Sequence, residues 1–117
     1  MKGLQCSQEY LVLEDFCKRI KIALSHDCRE MYKKTLDMMI QYPDAPQPQN
    51  LLGIIAELNG DKVLAMKHYR AAWSLAPNYR PSRENIDRMV ETSVACPIFF
   101  NDEDVNEFEK KQKGKLR

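Results

Sequence analysis

The chain has 117 residues, 44% hydrophobic and 30% charged, and its 18 Lys and Arg nearly cancel its 17 Asp and Glu. That is the size and balance of one soluble globular domain with its own core. A net charge near zero excludes the broad basic footprint of a nucleic-acid-binding surface, and no apolar run approaches the ~20 residues of a membrane span.

The N-terminal MKGLQCSQEY lacks the apolar stretch of a secretory leader and is soon followed by Glu14 and Asp15, so the expected setting is cytoplasmic. No segment shows sustained period-two alternation, and the one Asn-Gly pair has no β-branched strands around it. The expected fold class is all-α. The first helix, from about Ser7 to Leu24, places Leu13, Cys17, Ile20 and Leu24 at helical spacing, with Phe16 and Ala23 beside them and Lys18, Arg19 and Lys21 opposite. Ser25-His26-Asp27 then interrupts it. Cys6, Cys17 and Cys28 are too widely spaced for a Cys-x-x-Cys knuckle, and only His26 and His68 could complete a metal site. No metal or cofactor is expected, and the cysteines read as buried free thiols.

Asp27 followed three residues later by Glu30 has the form of a capping box, so a second helix starts near Cys28. It presents Met31, Leu36, Met39 and Ile40 and ends before Pro43. The linker YPDAPQPQ, residues 42–49, lets Pro46 or Pro48 open the next helix, where a missing amide hydrogen costs nothing. That third helix covers Gln49 to Leu58 and stops at Asn59-Gly60; the fourth covers Asp61 to Ala76 and stops at Pro77. A three-residue turn makes the two an antiparallel hairpin. Gly53 has no side chain to hold the backbones apart, so Tyr69 or Ala65 can come close. Ala65, Tyr69, Ala72 and Ala76 form one narrow face of the fourth helix and Met66 and Trp73 another, which predicts a helix sandwiched between two neighbours with Tyr69 and Trp73 in the core.

A fifth helix is expected over Arg80 to Thr92. After Cys96-Pro97 come Ile98-Phe99-Phe100, then Asn101-Asp102-Glu103-Asp104, a cap with acids in the first turn of a short helix at 102–112 whose last turn is basic. Its apolar residues are Val105 and Phe108, and GKLR reads as a disordered tail. Burying a large apolar side chain is worth about 1.5 to 3 kcal/mol. Ile98, Phe99 and Phe100 should therefore either cover the open end of the helix array or form an interface patch for docking or a homodimer contact.

The residues Leu52-Gly53, Gly60-Asp61, Ala65, Tyr69, Ala72 and Pro77 resemble the packing residues of the tetratricopeptide repeat, in a unit of about 34 residues. One unit earlier Pro77 falls on Pro43, Asp61 on Asp27 and Ile54 on Ile20, while Gly53 falls on Arg19, Ala65 on Met31, Tyr69 on Thr35 and Ala72 on Met38. One unit later Ile86 falls on Leu52 and Asp87 on Gly53, but Cys96-Pro97 stands where the turn should be and Lys111 in place of the proline. The resemblance implies a short right-handed α-solenoid of five to six helices in one domain: a degenerate first repeat at 7–43, a complete repeat at 46–79, a partial repeat or capping helix at 80–94, a C-terminal cap helix at 97–112 and a disordered tail at 113–117.

It also implies a concave groove, lined by the first helix of each unit, that holds an extended or helical peptide of a partner protein. Mapped here, the groove shows Phe16 and Ile20, then Asn50, Ile54, Glu57 and Leu58, then Glu84, Arg88 and Glu91. Phe16 and Ile20 disfavour a clamp for a C-terminal carboxylate, whereas Asn50, Asn85 and Arg88 leave it open. No Ser-His-Asp or Cys-His signature, phosphate loop or carboxylate pair is present, and His68 reads as a packing or solvated residue. The expected function is a non-enzymatic adaptor with a protein or peptide partner and no nucleic acid or membrane. The alternative is a structural subunit that self-associates or docks in a larger assembly.

Overall fold

Short polar side chains and prolines set the helix boundaries. Asp27 Oδ1 accepts the Glu30 amide and Asp61 Oδ1 the Leu64 amide, each at 3.1 Å, satisfying donors that the first turn of a helix leaves free. Pro46 and Pro81 stand in the first turns of their helices, and Asn101 Oδ1 accepts the Asp104 amide at 3.2 Å. Gly60 turns the chain with φ 85°, a conformation open to glycine.

The computed structural model describes residues 2–24, 26–91 and 96–115. Among them are six helices and no strand: α1 (Lys2–Ala23), α2 (Cys28–Gln41), α3 (Pro46–Leu58), α4 (Lys62–Leu75), α5 (Arg80–Val90) and α6 (Asp102–Lys115). The all-α class is as expected, and no described helix is long and apolar enough to cross a membrane. Helix α1 begins earlier than Ser7, and α6 runs beyond 112 to include Gly114 and Lys115. Residues 92–94 of the expected partial repeat, tail residues Leu116 and Arg117, and the side chain of Cys6 lie outside the described residues.

Helix α3 is the centre of the molecule, packed against α4, α2, α1 and α5. Residues Leu51 to Ala56 are all buried, so it carries an apolar surface on every side rather than a stripe. At Gly53 a Cβ would lie 2.6 Å from two ring atoms of Tyr69 and 3.1 Å from the Ala65 carbonyl. The close approach read from the sequence is therefore present, with Tyr69 fully buried and its hydroxyl donating to Glu57 Oε1 at 2.7 Å. The core also takes in Phe16, Cys17, Ile20, Met31, Ile54, Ala56 and Ala65.

Four expected core positions are less buried than expected. Trp73 is 40% exposed, with the Arg83 guanidinium 5.8 Å from its ring centroid; a cation over the ring face covers it in place of a helix. Ile40 is 75% exposed in the last turn of α2, where Thr35, its hydroxyl on the Met31 carbonyl at 2.7 Å, fills the interior. Of the cysteines, Cys17 is buried and Cys28 and Cys96 only partly so.

Candidate functional site

Helices α1, α3 and α5 lie side by side, α3 touching both of the others, and bring most of the predicted groove residues onto one surface. That surface is covered by the chain's own residues 98–101. Asn85 Oδ1 accepts the Phe99 amide at 3.0 Å, and Asn85 Nδ2 donates to the Phe99 carbonyl at 2.8 Å and to Asn50 Oδ1 at 3.0 Å. Asn50 Nδ2 reaches the same carbonyl at 3.0 Å. Both asparagines are completely buried and Phe99 is 1% exposed. In an extended chain the N–H and C=O of one residue point to the same side, so one side-chain amide can meet both, as a neighbouring strand would. Side chains alternate accordingly: Ile98 and Phe100 pack against the core cluster, while the Phe99 ring meets the Phe108 ring of α6 edge-on at 5.5 Å.

Of the two expectations for Ile98, Phe99 and Phe100, cover for the array or an exposed interface patch, their burial is that of cover. Phe99 is interior, and Ile98 and Phe100 are partly buried against the core cluster. Of the groove residues, Phe16, Ile20, Asn50 and Ile54 are buried, in the floor under the segment. Leu58 is 54% exposed at the end of α3. Glu84, Arg88 and Glu91 border a depression of about 350 Å³ with Cys96 and Phe99.

Two of the charges on this surface face each other. Arg88 forms a two-point pair with Glu57, Nη1 to Oε2 and Nη2 to Oε1, each 2.6 Å. Burial alone would raise the Glu57 carboxyl, but the Arg88 and Tyr69 donors bring it below its ordinary value. Burial likewise disfavours charged Arg88, yet Glu57 holds it above its usual value. The geometry is the fork-on-fork arrangement that orients as well as binds.

A second polar group fixes the start of α6. Glu14 of α1 receives the Tyr79 hydroxyl at 2.6 Å, Gln47 Nε2 at 3.2 Å and the Asp102 amide at 2.9 Å. Its backbone carbonyl accepts Asn101 Nδ2 at 3.3 Å, and the Tyr10 hydroxyl donates to Asp102. Burial raises the Glu14 carboxyl above the usual range against the pull of these donors, and the charge of Asp102 adds to the rise. At the rim Lys21 pairs with Asp104 at 2.8 Å and lies over the Phe100 ring, and Lys18 meets Glu103 at 4.0 Å.

Burial pushes the Cys17 thiol well above its ordinary value, which makes it inert. His68 contacts Gln49 Oε1 through Nδ1 at 2.8 Å, and burial lowers its pKa. It borders a cavity of about 430 Å³ shared with Cys28, Arg29 and Tyr32 but with no carboxylate. Among the described residues no three His, Cys, Asp or Glu are placed to hold a metal ion.

Glu14, Gln47 and the full role of Asn85 were not read from the sequence. A signal for Asn85 exists: Pro46-x-x-x-Asn50-Leu51 recurs as Pro81-x-x-x-Asn85-Ile86, at a spacing of 35. A frame of about 34 residues sets Asn50 on Glu84 instead. No family model, curated protein or solved structure matches the chain.

Proposed function

We propose that the protein is a non-enzymatic interaction module that holds an extended peptide of a partner protein on the α1, α3 and α5 surface, with helix hairpins arranged as in a short tetratricopeptide solenoid. The solenoid reading is supported by the α3–α4 hairpin with its Gly53–Tyr69 contact and by the recurrence of the Pro-x-x-x-Asn pattern on α5.

The observation that carries the binding function is the pair of bonds from Asn85 to the main chain of Phe99. An amide that meets both the N–H and the C=O of one residue recognises extended backbone whatever the side chain, and side-chain selectivity falls to the neighbouring positions. Buried in the groove floor, Asn50 and Asn85 are preorganised by their bond to each other, so a peptide gains these contacts without ordering them first.

A photo-crosslinking residue in place of Leu58, exposed at the end of α3, tests the reading in native lysate with the full chain. Protein adducts should form with the otherwise unaltered protein and disappear when Asn85→Leu is added. Adducts of the same identity and yield from both chains would refute the groove as the binding surface.

A further inference from the structure

We infer that residues 97–105 are an internal copy of the groove's ligand, and that the partner peptide carries bulky apolar residues at two alternate positions followed within a few residues by carboxylates. The inference rests on the peptide-groove reading above and adds the chemistry of the peptide and the means by which access to it is controlled.

The seated segment defines the recognition pattern. At its centre Asn50 and Asn85 read the main chain of Phe99, while its buried ring meets Phe108 of α6 edge-on. The residues on either side, Ile98 and Phe100, reach the core cluster, which requires apolar bulk at both. Beyond them Asp102, Glu103 and Asp104 begin α6, and Glu103 and Asp104 meet Lys18 and Lys21. These rim lysines give a positive edge that favours and steers an acidic stretch.

The same segment is built to leave. Outside residues 98–101, α6 buries Val105 and, in part, Asp102, Asp104 and Phe108, and the rest of its described side chains are exposed. Of its ion pairs to α1 and α5, Lys18 with Glu103 and Arg80 with Glu109 are half-exposed and therefore weak and screened by salt, which leaves Lys21 with the largely buried Asp104 as the one firmer pair among those described. A tethered segment competes at an effective concentration on the order of mM. A partner with equal contacts is excluded until it is abundant, multivalent or helped by loosening of the arm.

The test uses the full chain and a fluorescein-labelled peptide with the sequence of residues 97–105, read by anisotropy. Ile98→Asp together with Phe100→Asp places two charges against apolar walls and should expel the arm. The peptide should then bind this variant with a Kd at least ten-fold lower than it shows for the wild type. Phe100→Ala should fall between them, and a peptide with aspartate at both alternate apolar positions should bind none of the three. Equal affinity for wild type and double variant would overturn the inference, as would no binding to a double variant that keeps its helical circular dichroism. If the double variant unfolds, Phe100→Ala decides the comparison alone, a Kd no lower than that of the wild type overturning the inference. Asn85-dependent crosslinks without peptide binding would sink the internal-ligand idea and leave the groove standing; loss of both would sink both.

Discussion

Replacing Asn85 by alanine should cost more than replacing Asn50, although both are fully buried and both reach Phe99. Asn85 Oδ1 is the acceptor found for the buried Phe99 amide, and its Nδ2 also serves Asn50 Oδ1. Asn85→Ala therefore strands a donor and an acceptor, each at about 1 to 3 kcal/mol; with partial relaxation the expected loss is about 3 kcal/mol. Asn50→Ala leaves the Phe99 carbonyl bonded to Asn85 Nδ2 at 2.8 Å, so about 1 to 1.5 kcal/mol is expected. Urea unfolding gives the two totals, and hydrogen exchange at the Phe99 amide locates them. At about 1.4 kcal/mol per factor of ten, Asn85→Ala should lower protection of that amide by roughly two orders of magnitude if its exchange follows the lost stability. A cost for Asn50→Ala equal to or above that of Asn85→Ala, or an unchanged Phe99 amide in Asn85→Ala, would show that Asn85 does not hold this segment.

Three further outcomes follow from the packing and the ion pair. Gly53→Ala gains about 1 kcal/mol of helix propensity but places Cβ 2.6 Å from a ring pinned by Glu57; overpacking of about 1 to 3 kcal/mol or more should prevail and lower Tm, and a raised Tm would refute the close approach. Arg88→Met leaves Glu57 mostly buried without its partner and should cost about 3 kcal/mol at pH 7, measured by urea unfolding, with a loss under 1 kcal/mol counting against the pair. Its pH dependence should change sign. In the wild type the Glu57 carboxyl sits below its unfolded value, so its contribution is complete above the unfolded pKa and lost as pH falls through the folded one; in Arg88→Met, burial raises it and acidification from pH 7 should restore stability until the carboxyl is protonated. Parallel slopes in urea titrations from pH 7 to 4 would contradict this.

The hairpin of α3 and α4 was legible because its determinants are local and steric: Asp61 before the helix, Gly60 in the turn, and Gly53 facing Tyr69 where only hydrogen fits. Asp27 announced one more helix start in the same way, whereas α3, expected from Gln49 with Pro46 or Pro48 as its opener, starts at Pro46. The occupant of the groove was not legible, since the bonds from Asn50 to Phe99 and from Glu14 to Asp102 join residues 49 and 88 positions apart, and no periodicity encodes where a chain returns. Hydrophobicity demanded cover for Ile98, Phe99 and Phe100 but could not say that the cover would be the groove itself. Glu57 and Arg88 read as charges available to a ligand because each was placed on a surface separately; their spacing of 31 conceals that they face one another. Trp73 shows the converse, because an indole at core spacing reads the same whether a helix or an arginine lies over it.

Cys17 turns the core cluster into a clock. Its thiol lies in the cluster against which Ile98 and Phe100 pack, fully screened, with its ionisation suppressed by burial, so an alkylating reagent can act only during excursions that bare it. In a chain whose other three cysteines are serine, the labelling rate at low reagent divided by the rate for an unhindered thiol is the fraction of time that Cys17 is uncovered. At high reagent the rate levels off at the frequency of uncovering itself. One sulfur atom thus reports both how often the protein opens this region and how long it stays open.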